Sequence, residues 1–287
     1  MRRRFAASVI VLSAGLMLSL LAPAQNAQLP RQPGAVYDFD FPNEQPSPPP
    51  VRDISGIWEA AEGPNGGVNG GGSKLMPSDG KHVPPYTPEG WEALRAHKPT
   101  FGALPEAPMV PSALTNDPMP GCDPQGFPRL VLHNFRTSKI IQTPENVVIL
   151  YLFNKKWRVI WTDRRELPKN VEEPRWWGYS VGKWVDDYTF EAETVGLDER
   201  TWLDNVGRPH SDALRVIEQY KRVDRNHLVM TITIDDPKYY TKPWVPLILR
   251  LRLQSPSLDI HETECVPSET ARYNKFFANP AAGVDDK

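Results

Sequence analysis

The sequence predicts an all-β protein, and three observations carry that reading. From about residue 129 onward, apolar residues alternate with polar ones at a period of two. Turn-forming clusters separate these runs at short spacing, among them Thr143-Pro144-Glu145-Asn146, Asp186-Asp187 and Asp224-Arg225-Asn226. A convincing helix start occurs at one place, near residue 88. Roughly nine to eleven strands at such spacing read as a barrel or a sandwich.

Taken in order, the chain of 287 residues opens on an export signal. Arg2, Arg3 and Arg4 form a basic start, residues 5–21 an apolar run, and Ala22-Pro23-Ala24 a small-residue cleavage site. Phe5 after the arginines leaves twin-arginine export open beside the general route. Segment 1–24 is therefore read as removed, which places the mature chain in the periplasm or outside the cell. Taking Arg2, Arg3 and Arg4 from the 33 basic residues leaves 30 against 35 acidic ones, a mature charge of −5. A mildly acidic chain without a basic block argues against nucleic acid and against an anionic membrane surface. No later segment is apolar and long enough to span a bilayer, so no membrane insertion is expected after signal cleavage.

Residues 25–53 read as a Pro-rich linker, with "PNEQPSPPP" at 42–50 extended. The β-domain is placed at 54–279, with a tail at 280–287. "ISGIWE" at 54–59 is its first strand. "GPNGGVNGGGS" at 63–73 is a Gly-rich loop without the Lys-Ser/Thr ending of a phosphate-binding loop. Thr87 then caps a short helix, with Pro88 at its first position, running through Trp91 and Leu94 to about His97. Pro totals 31, about twice the usual share of roughly 5%, and most of it precedes residue 130, so irregular backbone concentrates there. Cys122 and Cys265 are the two cysteines, and in an oxidising compartment they are expected to close one long disulfide loop.

The strands follow. Asn146 to Phe153, "NVVILYLF", is continuously apolar and fits a buried strand. Trp157, Val159 and Trp161 alternate with Arg158 and Ile160. Tyr188, Phe190 and Ala192 alternate with Thr189, Glu191 and Glu193. Leu228, Met230, Ile232 and Ile234 share one face, as do Leu247, Leu249, Leu251 and Leu253. Residues 213–223 fit either a helix capped by Ser211 or Asp212, or a strand with Leu214, Val216, Glu218 and Tyr220 on one face. The surrounding β pattern favours the strand.

Gly56-Ile57-Trp58 has the G-x-W form that opens lipocalin and calycin barrels, and the chain resembles them there. The resemblance implies an antiparallel, lipocalin-like β-barrel in which the Trp plugs one end and meets a basic side chain near the last strands. Lys221, Arg222, Arg250 and Arg252 stand in that region, although Gly182-Lys183-Trp184 repeats the tripeptide elsewhere. A second resemblance rests on "CDPQGFPR" from 122, "WTDRRELP" from 161, "GYSVGKW" from 178, "DERTWLDNVGRPHSDALR" from 198 and "DPKYYTKPW" from 236. By these runs the chain is similar to an uncharacterised family of secreted bacterial proteins. That likeness implies a secreted β-rich domain and assigns no catalytic residue.

Three clusters are candidates for chemistry. Residues 197–215, "LDERTWLDNVGRPHSDALR", gather four carboxylates, three Arg and one His. His210, oriented by Asp204 or Asp212, would titrate near neutrality and serve as an acid/base group at a barrel mouth. The competing reading is a loop fixed by ion pairs of Asp198 or Asp204 with Arg200, Arg208 or Arg215. Asp204, His210 and Asp212 could also supply mixed metal ligands, but no ligand signature is complete, so no metal or cofactor is expected. Ser211 lacks a nucleophile elbow. In the second cluster, Arg175, Trp176 and Trp177 form a lip that could stack on a ring. In the third, Tyr239, Tyr240 and Trp244 enrich a loop in aromatics. Nine Trp in all either fill a small barrel or line a cavity.

The function expected is an extracytoplasmic binding protein for a small hydrophobic or aromatic molecule held in a barrel cavity. Its contacts would come from Arg200, Trp202, Arg215, Trp177, Tyr240 and Trp244. The alternative is a lyase, isomerase or hydratase that uses Asp204, His210 and Asp212.

Overall fold

The structure, a computed structural model, describes residues 34–61, 74–75, 82–132, 135–261 and 263–284. The segment 1–24 expected to be an export signal, the Gly-rich stretch at 63–73 and His133 lie outside the described residues. The strands are β1 (Gly56–Ala60), β2 (Lys74–Leu75), β3 (Ser138–Gln142), β4 (Asn146–Tyr151), β5 (Trp157–Trp161), β6 (Tyr179–Trp184), β7 (Thr189–Val195), β8 (Arg215–Arg222), β9 (His227–Asp235) and β10 (Trp244–Leu253). Nine of them, β1 and β3 to β10, pair in sequence order, and β10 pairs back onto β1. The sheet is thus a closed barrel, with β2 added beside β1 on the long strand β10. Closure pairs the strands all round the ring, least completely between β5 and β6, and so leaves little free sheet edge.

The alternation read from the sequence becomes the inside and outside of this barrel. Leu228, Met230, Ile232 and Ile234 face inward and are almost fully buried, as are Leu247, Leu249 and Leu251. Each such side chain contributes about 1.5–3 kcal/mol by leaving water. The ambiguous segment is the strand β8, with Leu214, Val216, Glu218 and Tyr220 buried as one face. β5 turns the other way from what its indoles suggest. Arg158 and Ile160 point inward at 2% and 0% exposure, while Trp157 stands 63% exposed.

The ring departs from a wholly antiparallel barrel at one junction. β5 and β6 run parallel and pair only at Trp161↔Val181. A parallel neighbour needs a crossover, and residues 162–178 supply it. Every other pair in the ring is antiparallel.

Both ends are stoppered. At one end Trp58 is fully buried, its indole N–H donates to the Ile54 carbonyl at 3.0 Å, and the Arg222 guanidinium lies 4.7 Å above its ring. Arg222 also donates to the carbonyls of Asp53 and Asp224, so the contact between Trp58 and a basic side chain is built into the barrel rim. Gly56 holds a φ of +140°, and a Cβ there would meet Leu253 at 2.4 Å, so no other residue fits that entrance to β1. At the opposite end Phe127, Leu130, Val131 and Leu132 are buried, the last three in the short helix α2 (Arg129–Leu132). The helix α1 (Pro88–Ala96) packs beside them, capped by Thr87, whose hydroxyl accepts from the Gly90 amide at 3.0 Å.

The disulfide Cys122–Cys265 is present, with Cα atoms 5.5 Å apart. It anchors the stopper segment to the stretch after β10. That stretch continues into α3 (Pro267–Tyr273) and further helical turns to Ala281, beyond the one short helix expected. Pro267 at the first turn and Glu269 behind it are ordinary helix-start signals. The residues expected to be a spacer are docked where they are described. Tyr37 is buried, Gln254 brackets Val36 with two hydrogen bonds, and the Arg225 amide donates to Ser47. No helix among the described residues is long and apolar enough to cross a membrane.

Candidate ligand-binding site

The inward faces of β4 to β8 place charged and hydroxyl side chains at the barrel centre. Arg158 donates to Glu218 at 2.6 Å, to Thr194 at 2.7 Å and to Ser180 at 3.1 Å. Tyr220 donates to the other Glu218 oxygen at 2.6 Å, and the Ser180 and Thr194 hydroxyls meet at 2.9 Å. Phe127 comes in from the stopper with its ring 3.8 Å from the Arg158 guanidinium carbon. Burial works against the charge on Arg158, but Glu218 beside it raises the guanidinium pKa above its ordinary value. Burial likewise pushes the Tyr151 hydroxyl up to about 12 and Tyr220 well above 10, so both remain protonated.

This knot is not fully satisfied. Arg158 Nη1 and the Tyr151 hydroxyl are buried without a hydrogen-bond partner. The Arg158 charge acts on Tyr151, so the two groups are neighbours. Buried polar groups are nearly always paired, and each orphan costs about 1–3 kcal/mol. The Tyr151 oxygen stands where it can accept from Arg158, so the pair answers part of its own need.

The wall beside the knot is split. Because β5 and β6 pair at Trp161↔Val181 alone, Trp157 and Val159 on one strand and Tyr179 on the other have no partner across the gap. A cleft of ≈ 820 Å³ runs along this gap. Trp157, Trp161, Trp177 and Tyr179 supply its rings, and Arg158 and Ser180 its deepest residues. Trp177 also stacks on Tyr151, 6.2 Å between ring centres, which couples the cleft wall to the knot. Volume and lining fall in the range of small-molecule sites. A second cleft of ≈ 540 Å³ continues past Trp161 and Val181 to Lys183 and Trp184.

Within residues 197–215 the structure sets Asp204, His210 and Asp212 each among different partners. His210 is buried, with Nε2 2.7 Å from the Thr201 hydroxyl and Nδ1 3.2 Å from the Ser211 carbonyl. Burial pushes its pKa below the ordinary imidazole value, so the ring is neutral. Asp204 is turned to Arg208 at 2.7 Å and to the amides of Val206 and Arg208. Asp212 is exposed and pairs with Lys238 at 3.2 Å. Neither carboxylate hydrogen-bonds to His210, because the turn at 204–208 and the bend at Ser211 point them apart. Asp236 holds Ser211 instead, through its amide and hydroxyl at 2.7 Å each. The segment is a rigid corner that covers the barrel end. Among the described residues no group of three or more His, Cys, Asp or Glu stands where it could hold a metal ion.

The six expected ligand contacts are dispersed. Trp177 lines the cleft. Arg200 pairs with Asp198 at 2.6 Å above Trp176. Trp202 is buried between His97, stacked at 4.4 Å, and Arg129. Arg215 lies on the outer wall with Glu193 and Asp235. Tyr240 and Trp244 are buried with Tyr86, and Tyr240 donates to the Pro209 carbonyl at 2.7 Å. Sequence reasoning missed Tyr151, Arg158, Ser180 and Thr194. The available signal was Arg158 on the same face as Ile160, and Glu218 between Val216 and Tyr220. Comparison with family models, with curated proteins and with solved structures finds no match.

Proposed function

We propose that this protein is an extracytoplasmic binding protein for a small hydrophobic or aromatic molecule, taken up in the cleft between β5 and β6. The observation that carries the reading is the split wall. An otherwise closed and stoppered barrel opens at one junction, and that opening is lined by indoles. Aromatic side chains left partly exposed along a concave surface supply binding area at little conformational cost. The barrel centre is filled by packed side chains and the polar knot, which favours the wall over a central cavity as the binding place. The N-terminal signal pattern and the Cys122–Cys265 bridge support an oxidising compartment.

Native mass spectrometry of the mature protein, purified gently from the periplasm, tests the reading. A bound apolar or aromatic mass that leaves on denaturation is expected. Its retention should fall when Trp157 and Trp177 are both replaced by Ala. A ligand retained unchanged by that variant would place binding elsewhere. Accumulation of the processed chain in the cytoplasm would overturn the extracytoplasmic assignment.

A further inference from the structure

The charges around the cleft carry the reading one step further. Lys155, Lys156, Arg158, Arg165 and Arg175 line it, against one carboxylate, Glu166. Part of that excess is already spent. Arg158 pairs with Glu218, and Arg165 pairs with Asp163 at 2.6 Å while lying over Trp161. Arg175 is different: its guanidinium lies 4.0 Å over the Tyr179 ring, and no carboxylate among the described residues pairs with it. None pairs with Lys156 either. At the floor, Arg158 is buried and already engaged by Glu218, Thr194 and Ser180.

We infer that the ligand of this cleft is an aromatic carboxylate, its ring held among Trp157, Trp177 and Tyr179 and its carboxylate drawn to Arg175 and Lys156. The inference rests on the binding reading above and adds the charge of the ligand. Rings on the walls select a flat apolar body. Cations at the rim that no carboxylate neutralises select an anionic acceptor over a neutral one. A carboxylic acid is also what a fixed guanidinium recognises well, through its planar fork of N–H groups.

The test uses two probes of equal shape, 2-naphthoate and 2-naphthylmethanol, titrated by calorimetry into the mature, disulfide-intact protein. The carboxylate should bind about tenfold tighter or more, the factor that one charge-assisted hydrogen bond is worth. Lys156→Gln with Arg175→Gln should remove most of that preference and leave the alcohol unaffected. Both positions are at least partly exposed, so the variant should fold, and an unchanged thermal midpoint checks it. Equal or tighter binding of the alcohol would overturn the anion inference and leave the aromatic site standing. Binding of neither probe would overturn both.

Discussion

Replacing Arg158 by Met removes the centre of the polar knot while keeping most of its volume. The Glu218 carboxylate, fully buried, then keeps one hydrogen bond, from Tyr220, and loses its counter-ion at 2.6 Å. Stranding one member of a buried pair costs about 3–5 kcal/mol. For a domain of this size each kcal/mol lowers Tm by about 2–4 °C, so a drop of about 10 °C is expected. Glu218→Leu should cost a similar amount, because Arg158 then keeps only Ser180, Thr194 and the Phe127 face. The double variant leaves no charge in the knot, and Ser180 and Thr194 still satisfy each other at 2.9 Å, although the Tyr220 hydroxyl loses its acceptor. It should lie within about 2 kcal/mol of the parent and above both single variants. Urea unfolding of the four proteins with the disulfide intact measures the cycle. Costs that simply add, or single variants within about 1 kcal/mol of the parent, would refute the claim that these two charges stabilise each other in a dry centre.

Other consequences follow from the same coordinates. Cys122→Ser with Cys265→Ser opens a loop with a sequence separation of 143 residues. The chain-entropy model gives a loss of up to about 5 kcal/mol, visible as a lower unfolding midpoint that reductant no longer shifts. His210 is held below its ordinary pKa by burial, and so is His97. The unfolded chain therefore binds protons first, so the stability owed to the neutral rings is complete above about pH 6.5 and is lost as pH falls through the depressed folded values. His210→Gln should flatten the dependence of urea midpoints between about pH 7 and 5, and an unchanged slope would remove His210 from the account. Thr87→Ala deletes the cap on Gly90 and a 2.7 Å hydrogen bond to the Lys238 carbonyl, and should cost about 1–2 kcal/mol by thermal unfolding.

Much of this architecture was legible before any coordinates. The period-two runs are local consequences of how strand side chains alternate, so β8, β9 and β10 could be placed from neighbours a few residues away. The cap at Thr87 and Pro88 is equally local, and two cysteines allow one bridge within the chain. The basic partner of Trp58 was narrowed to four candidates by position, and packing selected Arg222.

Tertiary structure alone decided the site. Alternation says which residues share a face and is silent on which face is inside. In β5 the indoles are out and Arg158 is in, because Glu218, Ser180 and Thr194 wait for a guanidinium across the barrel. The split at Trp161↔Val181 arises from a crossover that joins strands by direction and length, properties that residue patterns do not encode. The ionisable run at 197–215 looked like chemistry because its charges are adjacent in sequence. Folding spends them on one another and on the corner's own amides, whereas Arg158 and Glu218 come from strands that meet only across the barrel.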